Sequence, residues 1–152
     1  MTARIRAARI EDYEALDQLM RRSARTFPGF RDEQHVKPGA FLVSRKTISA
    51  GRVLLAETDE GIAGFAMWLP IGEATAHMEG LYIDPNLWRS GLGSELLRAV
   101  SDAIKASGLK NVFVIALADS VEFYRRFGFV RTGATATPLG PAVTMIKEVA
   151  GF

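Results

Sequence analysis

Apolar residues along this chain follow two spacings that change from segment to segment, and the changes mark the elements. Arg4–Arg9 reads as a first strand. From Asp12 to about Arg25, Leu16, Leu19, Met20 and Ser23 recur at helical spacing, so this stretch predicts an amphipathic helix, stopped by Phe27-Pro28-Gly29. Phe30–Ala50 mixes charges with Pro38-Gly39 and the apolar patch Phe41, Leu42, Val43, and is read as a second, broken helix. Two apolar runs follow, Arg52–Thr58 and Ile62–Leu69, joined by Asp59-Glu60-Gly61 as a hairpin. Pro70–Ala74 reads as a turn and Thr75–Ile83 as another strand. Leu92, Leu96, Leu97, Val100 and Ile104 form one helical face, ended at Ser107-Gly108. Asn111–Leu117 is continuously apolar, the mark of a strand buried on both faces. Ser120–Phe127 predicts a short helix ended by Gly128, and Phe129–Thr132 and Ala142–Glu148 two last strands. Hairpins giving way to a strand–helix–strand crossover define a mixed α/β sheet, not a doubly wound parallel one.

The most informative stretch is Leu81–Leu97, LYIDPNLWRSGLGSELL. A strand ends at Asp84-Pro85, a loop carries Arg89, Ser90, Gly91 and Gly93, and an apolar helix begins. Such a turn presents bare N–H groups at the positive end of the helix dipole, where a pyrophosphate would be held. Glycine permits close approach or a positive φ there. A dinucleotide-binding fingerprint needs a third glycine where Leu96 stands, and a Walker A loop needs Gly-Lys-Ser/Thr, so both are excluded. Gly-x-Gly by itself is equally compatible with a plain strand-to-helix turn.

Length and composition narrow the classes further. A chain of 152 residues favours one domain, spanning residues 1–152. Its composition, 48% hydrophobic and 24% charged, is that of an ordinary globular protein, with neither repeats nor low-complexity segments. A net charge of +2 does not call for a nucleic-acid partner. With no cysteine, disulfides, thiolate metal sites and a cysteine nucleophile are excluded. His35 and His77 lack metal-ligand spacing, so no metal is expected. No apolar run approaches the length of a membrane span, and the N-terminus lacks the apolar region of a signal peptide. The expectation is a cytoplasmic enzyme or binding module.

The same stretch resembles motif A of the GNAT N-acetyltransferases, in which a strand of the form Glu-x-x-x-Leu-x-Val-x-Pro precedes Arg/Gln-x-x-Gly-x-Gly. Leu81, Ile83 and Pro85 match the strand, and Gly91 and Gly93 match the loop. Trp88 stands at the usual Arg/Gln position, with Arg89 beside it. Asp119–Phe129, DSVEFYRRFGF, is similar to the family's later motif, in which an Asn-like residue precedes a helix ending Phe-Tyr-x-x-x-Gly-Phe. Met145-x-Lys147 and Arg6–Asp12 (RAARIED) are weaker echoes. The likeness covers nearly the whole chain and is weakest over Phe27–Ala50, which in this family forms part of the acceptor site. It implies a three-layer fold, with a central, mostly antiparallel sheet of six to seven strands splayed between strands 4 and 5 and helices on both faces.

The resemblance also implies chemistry. The donor would be acetyl-CoA and the acceptor a primary amine of a small molecule or peptide, attacked directly in a ternary complex. The backbone of Leu81, Tyr82 and Ile83 would pair with the pantetheine amides as an added strand. The loop Trp88, Arg89, Ser90, Gly91, Leu92, Gly93 and Ser94 would hold the pyrophosphate, and Asp119 joins these cofactor-binding residues. For the strand to receive the pantetheine, the sheet must open beside Asn111–Leu117, and Gly80 would mark a bulge that begins the opening. A backbone N–H near Leu81 would polarise the acetyl carbonyl. Tyr124 matches the tyrosine that serves as general acid to the leaving thiolate; the bland alternative is a tyrosine packed in the core.

An alkyl amine must lose a proton before it attacks. His77 stands where some members carry a glutamate base, and its bland alternative is a packing histidine. Glu79, on the same face under strict alternation, is a second base candidate or a binder of the ammonium group. Glu57 and Glu73 offer further negative charge, and Phe65, Met67 and Trp68 are candidates to set acyl length. Other readings are a non-catalytic acyl-CoA sensor and a transferase of longer acyl chains. A homodimer is expected by analogy only.

Overall fold

The computed structural model describes residues 3–24, 26, 43–137 and 139–149. The Phe27-Pro28-Gly29 stop, His35 and the first part of the predicted second helix lie outside the described residues. Seven strands form one sheet: β1 (Arg4–Ala7), β2 (Val53–Thr58), β3 (Gly61–Ile71), β4 (Thr75–Ile83), β5 (Asn111–Leu117), β6 (Val130–Thr137) and β7 (Gly140–Glu148). The spatial order is β1-β2-β3-β4-β5-β7-β6, with every neighbouring pair antiparallel except β4 and β5.

Helices cover both faces. On one side lie α1 (Tyr13–Ala24) and α2 (Arg45–Ser49). The α1 stripe of Leu16, Leu19 and Met20 is fully buried against Leu55, Phe65 and Tyr82. On the other side α3 (Leu92–Ala106) buries the predicted stripe of Leu92, Leu96, Leu97, Val100 and Ile104. The short α4 (Val121–Arg126) joins α3 there through Tyr124 and Phe123. This is the three-layer mixed architecture expected from the sequence.

Several boundaries differ from expectation. β1 stops at Ala7, because a 3-10 turn over Ile10–Asp12 leads into α1. β3 runs on through Pro70, opposite Ala76, and through Ile71, opposite Thr75. The reversal is made instead at Gly72, whose φ of 72° suits a glycine. β6 starts one residue late and runs to Thr137, while Phe129 turns into the core at 1% exposure. The small residues Gly133 and Ala134 carry little strand signal, yet β7 pairs with them. β5 is not buried on both faces. Val112, Val114 and Ala116 are buried, but Ile115 is 41% exposed. The reason is that α1 packs on β3 and β4, and α2 on β3.

Arg6 ties the first elements together. Its guanidinium donates to both Asp12 carboxylate oxygens at 2.9 and 3.0 Å, and to Glu57 of β2 at 3.3 Å. Asp12 in turn accepts the Arg9 N–H at 2.7 Å and so caps the entry to α1. The Arg6 guanidinium holds the Asp12 carboxyl below its ordinary range. A carboxyl depressed in the folded state contributes stability above its unfolded pKa of about 4, and loses it as pH falls through the lower folded value. The expected outcome for Arg6→Leu is a lowered melting temperature at pH 7 and a gap to wild type that narrows below about pH 4; melting curves across pH check this.

Candidate functional site

β4 and β5 pair over three residues only, Thr75–His77 against Asn111–Phe113. Beyond that point they separate. Just past it β4 carries a bulge: Trp68 faces Met78, Met67 faces Gly80, and Glu79 is the extra residue between them. The bulge sits where Gly80 led us to expect one. The glycine itself is required by packing, since a Cβ there would lie 2.3 Å from Cε2 of Tyr82. The Tyr82 ring lies over Gly80 and 5.2 Å from Phe65.

The register after the bulge decides which amides are free. Asp84 N–H donates to the Ala63 carbonyl at 2.8 Å. By antiparallel alternation Tyr82 then shares its hydrogen bonds with Phe65, while Leu81 and Ile83 turn theirs toward the β5 side. β5 does not pair with them. The Ile83 carbonyl is taken by the indole N–H of Trp88 at 3.1 Å. Among the described residues the carbonyl of Leu81 and the N–H groups of Leu81 and Ile83 remain as an unpaired edge.

The loop that follows is held by its own short bonds. Asp84 accepts from Asn86 N–H at 3.0 Å, and Ser90 donates to the Leu87 carbonyl at 2.6 Å. Arg22 of α1 reaches Asp84 at 3.6 Å. Two residues take left-handed backbone, Arg89 at φ 66° and Gly91 at φ 86°. For arginine this is a strained choice, of the kind that collects at ligand clamps. Gly91 is the N-cap of α3 and supplies no side-chain cap, so the N–H groups of Leu92, Gly93 and Ser94 face outward without helical partners. Gly93 differs from Gly91. Its φ is not positive, and a Cβ there would meet Phe123 at 3.6 Å, an ordinary contact. The chain itself would tolerate alanine at 93; the space in front of it suits a close ligand.

Two clefts meet at this opening. The first, about 600 Å³, is lined by Leu81, Ile83, Trp88, Arg89, Gly91, Gly93, Ser94, Asp119, Phe123, Tyr124 and Arg126, with Ser23 and Thr26 at the end of α1. The second, about 280 Å³, is lined by His77, Glu79, Leu81, Tyr82, Ile115, Tyr124, Thr137 and Leu139 among others. Leu81, Leu117, Ser120 and Tyr124 belong to both. Of the candidates from sequence, Ser90 closes the loop and Leu92 buries its side chain, so each offers the first cleft at most its backbone. Tyr82, expected to act through its backbone, packs its ring against Phe65 in the α1-side core and borders the second cleft.

Burial governs the ionisable groups. It lowers the His77 imidazole, which lies edge-on to Phe113 at 5.2 Å. It raises the Glu79 carboxyl. Tyr82 is pushed up to about 12 by burial and then by the charge of Glu79. Tyr124 is raised well above an ordinary phenol by burial and then by Tyr82. Neither hydroxyl has a hydrogen-bond partner among the described residues.

Some expectations fail. Phe65 and Met67 pack under α1, and Trp68 packs in the core on the α3 side, so none lines either cleft. Glu57 is paired with Arg4 and Arg6 away from the site, and the exposed Glu73 lines neither cleft. Ser23 was missed as a site residue, although a serine in an otherwise apolar stripe was its signal. Thr26 carried no signal.

The comparisons agree with this geometry. Residues 13–129 match the model of the acetyltransferase (GNAT) family, and the chain belongs to that family. Its fold is similar to PaiA N-acetyltransferase from Thermoplasma acidophilum in complex with coenzyme A, at TM-score 0.80 and 22% identity over 97% of this chain and 99% of that one. It is also similar to Ard1 from Thermoplasma volcanium, at TM-score 0.77 and 18% identity over 99% and 100%. A third likeness is to the ribosomal-protein-S18-alanine N-acetyltransferase from Escherichia coli, at TM-score 0.73 and 19% identity over 99% and 96%. Among the described residues no group of side chains is arranged to hold a metal, and no helix is long and apolar enough to cross a membrane.

A side chain at position 80 must displace the Tyr82 ring. For Gly80→Ala the expected cost is about 1–3 kcal/mol of stability, with an altered near-UV tyrosine signal, measured by denaturant unfolding and circular dichroism.

Proposed function

We propose that this chain is an acetyl-CoA-dependent N-acetyltransferase that moves an acetyl group to a primary amine by direct attack. The observation that carries this reading is the position of Tyr124, in the wall of both clefts where the sheet comes apart. A group there touches a donor lying in one cleft and an acceptor lying in the other.

The first cleft fits the donor. Its unpaired edge at Leu81 and Ile83 matches a chain of amides. The bare N–H groups of Leu92, Gly93 and Ser94 suit a pyrophosphate, each such bond being worth about 1.5–3 kcal/mol. Arg89 and Arg126 line it with positive charge. The second cleft carries Glu79 and His77 instead. Two guanidiniums against the one carboxylate of Asp119 favour an anionic donor in the first cleft, and the Glu79 carboxylate favours a cationic acceptor in the second.

The reaction follows from these placements. The neutral amine attacks the thioester carbonyl, whose oxygen would be polarised by the Leu81 N–H. As the C–S bond breaks, Tyr124 gives its proton to the leaving thiolate. Burial keeps the phenol protonated, and the same apolar surroundings raise the thiol as well, so donor and acceptor of the proton stay matched. The bound ammonium first gives one proton to His77, which burial keeps as the neutral base and which passes it to solvent; the proton left on nitrogen after attack returns through water to the Tyr124 phenolate.

Two outcomes are expected. Tyr124→Phe lowers kcat by about 100-fold or more with little change in acetyl-CoA affinity by calorimetry; unchanged turnover sinks the acid role. Because burial favours neutral imidazole, the acidic limb of kcat lies below about pH 6.5 and disappears in His77→Gln. A limb that survives that change assigns the proton to another acceptor. Thiol release from acetyl-CoA over an amine panel tests the function as a whole, and tight binding without any turnover would identify a sensor.

A further inference from the structure

The two clefts differ in more than charge sign. Among the described residues the second cleft is lined by one carboxylate, Glu79, and by no lysine or arginine. Glu79 is the residue expelled by the β4 bulge, so it projects where the ladder is broken. Two residues past the bulge, Tyr82 lays its ring over the bare Gly80, buried against Phe65, and borders the same cleft. The charge of Glu79 acts on the Tyr82 hydroxyl, which has no partner among the described residues. Across from them Ile115 and Leu117 of β5 and Leu139 beyond β6 give apolar surface, with the hydroxyl residues Ser120 and Thr137 beside it.

We propose that the second cleft binds a small primary monoamine on an apolar body, its ammonium held between the Glu79 carboxylate and the Tyr82 hydroxyl. The inference rests on the reading of the first cleft as the acyl-donor site. A single carboxylate partly withdrawn from water neutralises one cation. An acceptor bearing its own carboxylate would set like charges together with no basic side chain in the described lining to compensate. A polyamine would bring a second ammonium against the apolar wall with no second acid to meet it. A volume of about 280 Å³ matches a compact body, not an extended one. Ile115 also finds a use here. Its exposure on an otherwise buried strand leaves apolar surface for the acceptor's body to cover.

The test compares 2-phenylethylamine, spermidine and L-glutamate as acceptors for wild type, Tyr82→Phe and Glu79→Gln. Thiol release gives rates, mass spectrometry identifies the acetylated product, and calorimetry gives acetyl-CoA affinity. The expected result is a kcat/KM for 2-phenylethylamine about 100-fold above that for glutamate and clearly above that for spermidine. KM for 2-phenylethylamine rises about tenfold in Glu79→Gln and by a smaller factor in Tyr82→Phe, with acetyl-CoA affinity unchanged. A merely structural role for Tyr82 would lower the melting temperature without this KM-specific effect. Preference for spermidine or glutamate overturns the inference, and so do unchanged KM values or acetyl-CoA binding without turnover of any amine. Failure of wild type to bind acetyl-CoA overturns the donor reading itself. The wild-type panel decides the matter even if a variant does not fold.

Discussion

The site depends on a sheet that is joined at its middle by only three residue pairs. Thr75–His77 and Asn111–Phe113 hold β4 and β5 parallel; then Glu79 is squeezed out of the ladder and the strands part. A bulge raises local twist and bends the strand that carries it. An unpaired strand edge inside a protein is costly unless something satisfies it. Here the edge is short, one carbonyl is capped by Trp88, and the rest opens onto a cleft. On this face α3 packs on β2, β3 and β4 and α4 on β5, and both helices share one buried cluster with Ala66, Val112 and Val114.

Tyr82 links the bulge to the chemistry. Its ring needs Gly80 bare, and its hydroxyl is raised by burial and by the charge of Glu79. The electrostatic order runs from the carboxylate at the mouth, through one phenol, to the phenol at the junction of the clefts. Burial raises both phenols, with Glu79 adding to the effect on Tyr82 and Tyr82 to that on Tyr124, so both stay protonated across the neutral range. A protonated phenol can accept from an N–H through its oxygen and can give its proton to a departing anion.

The parts legible in the sequence were those written in local spacing. The α3 stripe, the limits of β4 and β5 and the glycine loop all follow from periodicity or turn chemistry within one segment. What escaped was set by partners far along the chain. Pro70 reads as a turn residue, but Ala76 opposite it keeps it in a strand. Gly133 and Ala134 have no strand preference and are recruited by β7. The exposure of Ile115 depends on where α1 lies, which no pattern within β5 records. Gly80 pointed to a bulge, but which face of the sheet the Tyr82 ring takes was settled by the parity shift the bulge itself creates.

Trp88 shows how a departure from the family pattern is absorbed. The loop presents backbone N–H groups, so its requirement falls on conformation and less on side-chain identity. Gly91 meets that requirement with φ 86° and Arg89 with φ 66°. The side chain at 88 is therefore free to take another task. The indole takes it by donating to the Ile83 carbonyl at 3.1 Å, a carbonyl that the parting of the strands had left unpaired. In doing so it shortens the open edge of β4 to the groups between Leu81 and the Ile83 N–H. What stays open is the edge at Leu81, one of the residues that line both clefts together with Tyr124. The tryptophan at the position of the usual Arg or Gln thus serves the strand, satisfying a carbonyl that the parting of the sheet exposes.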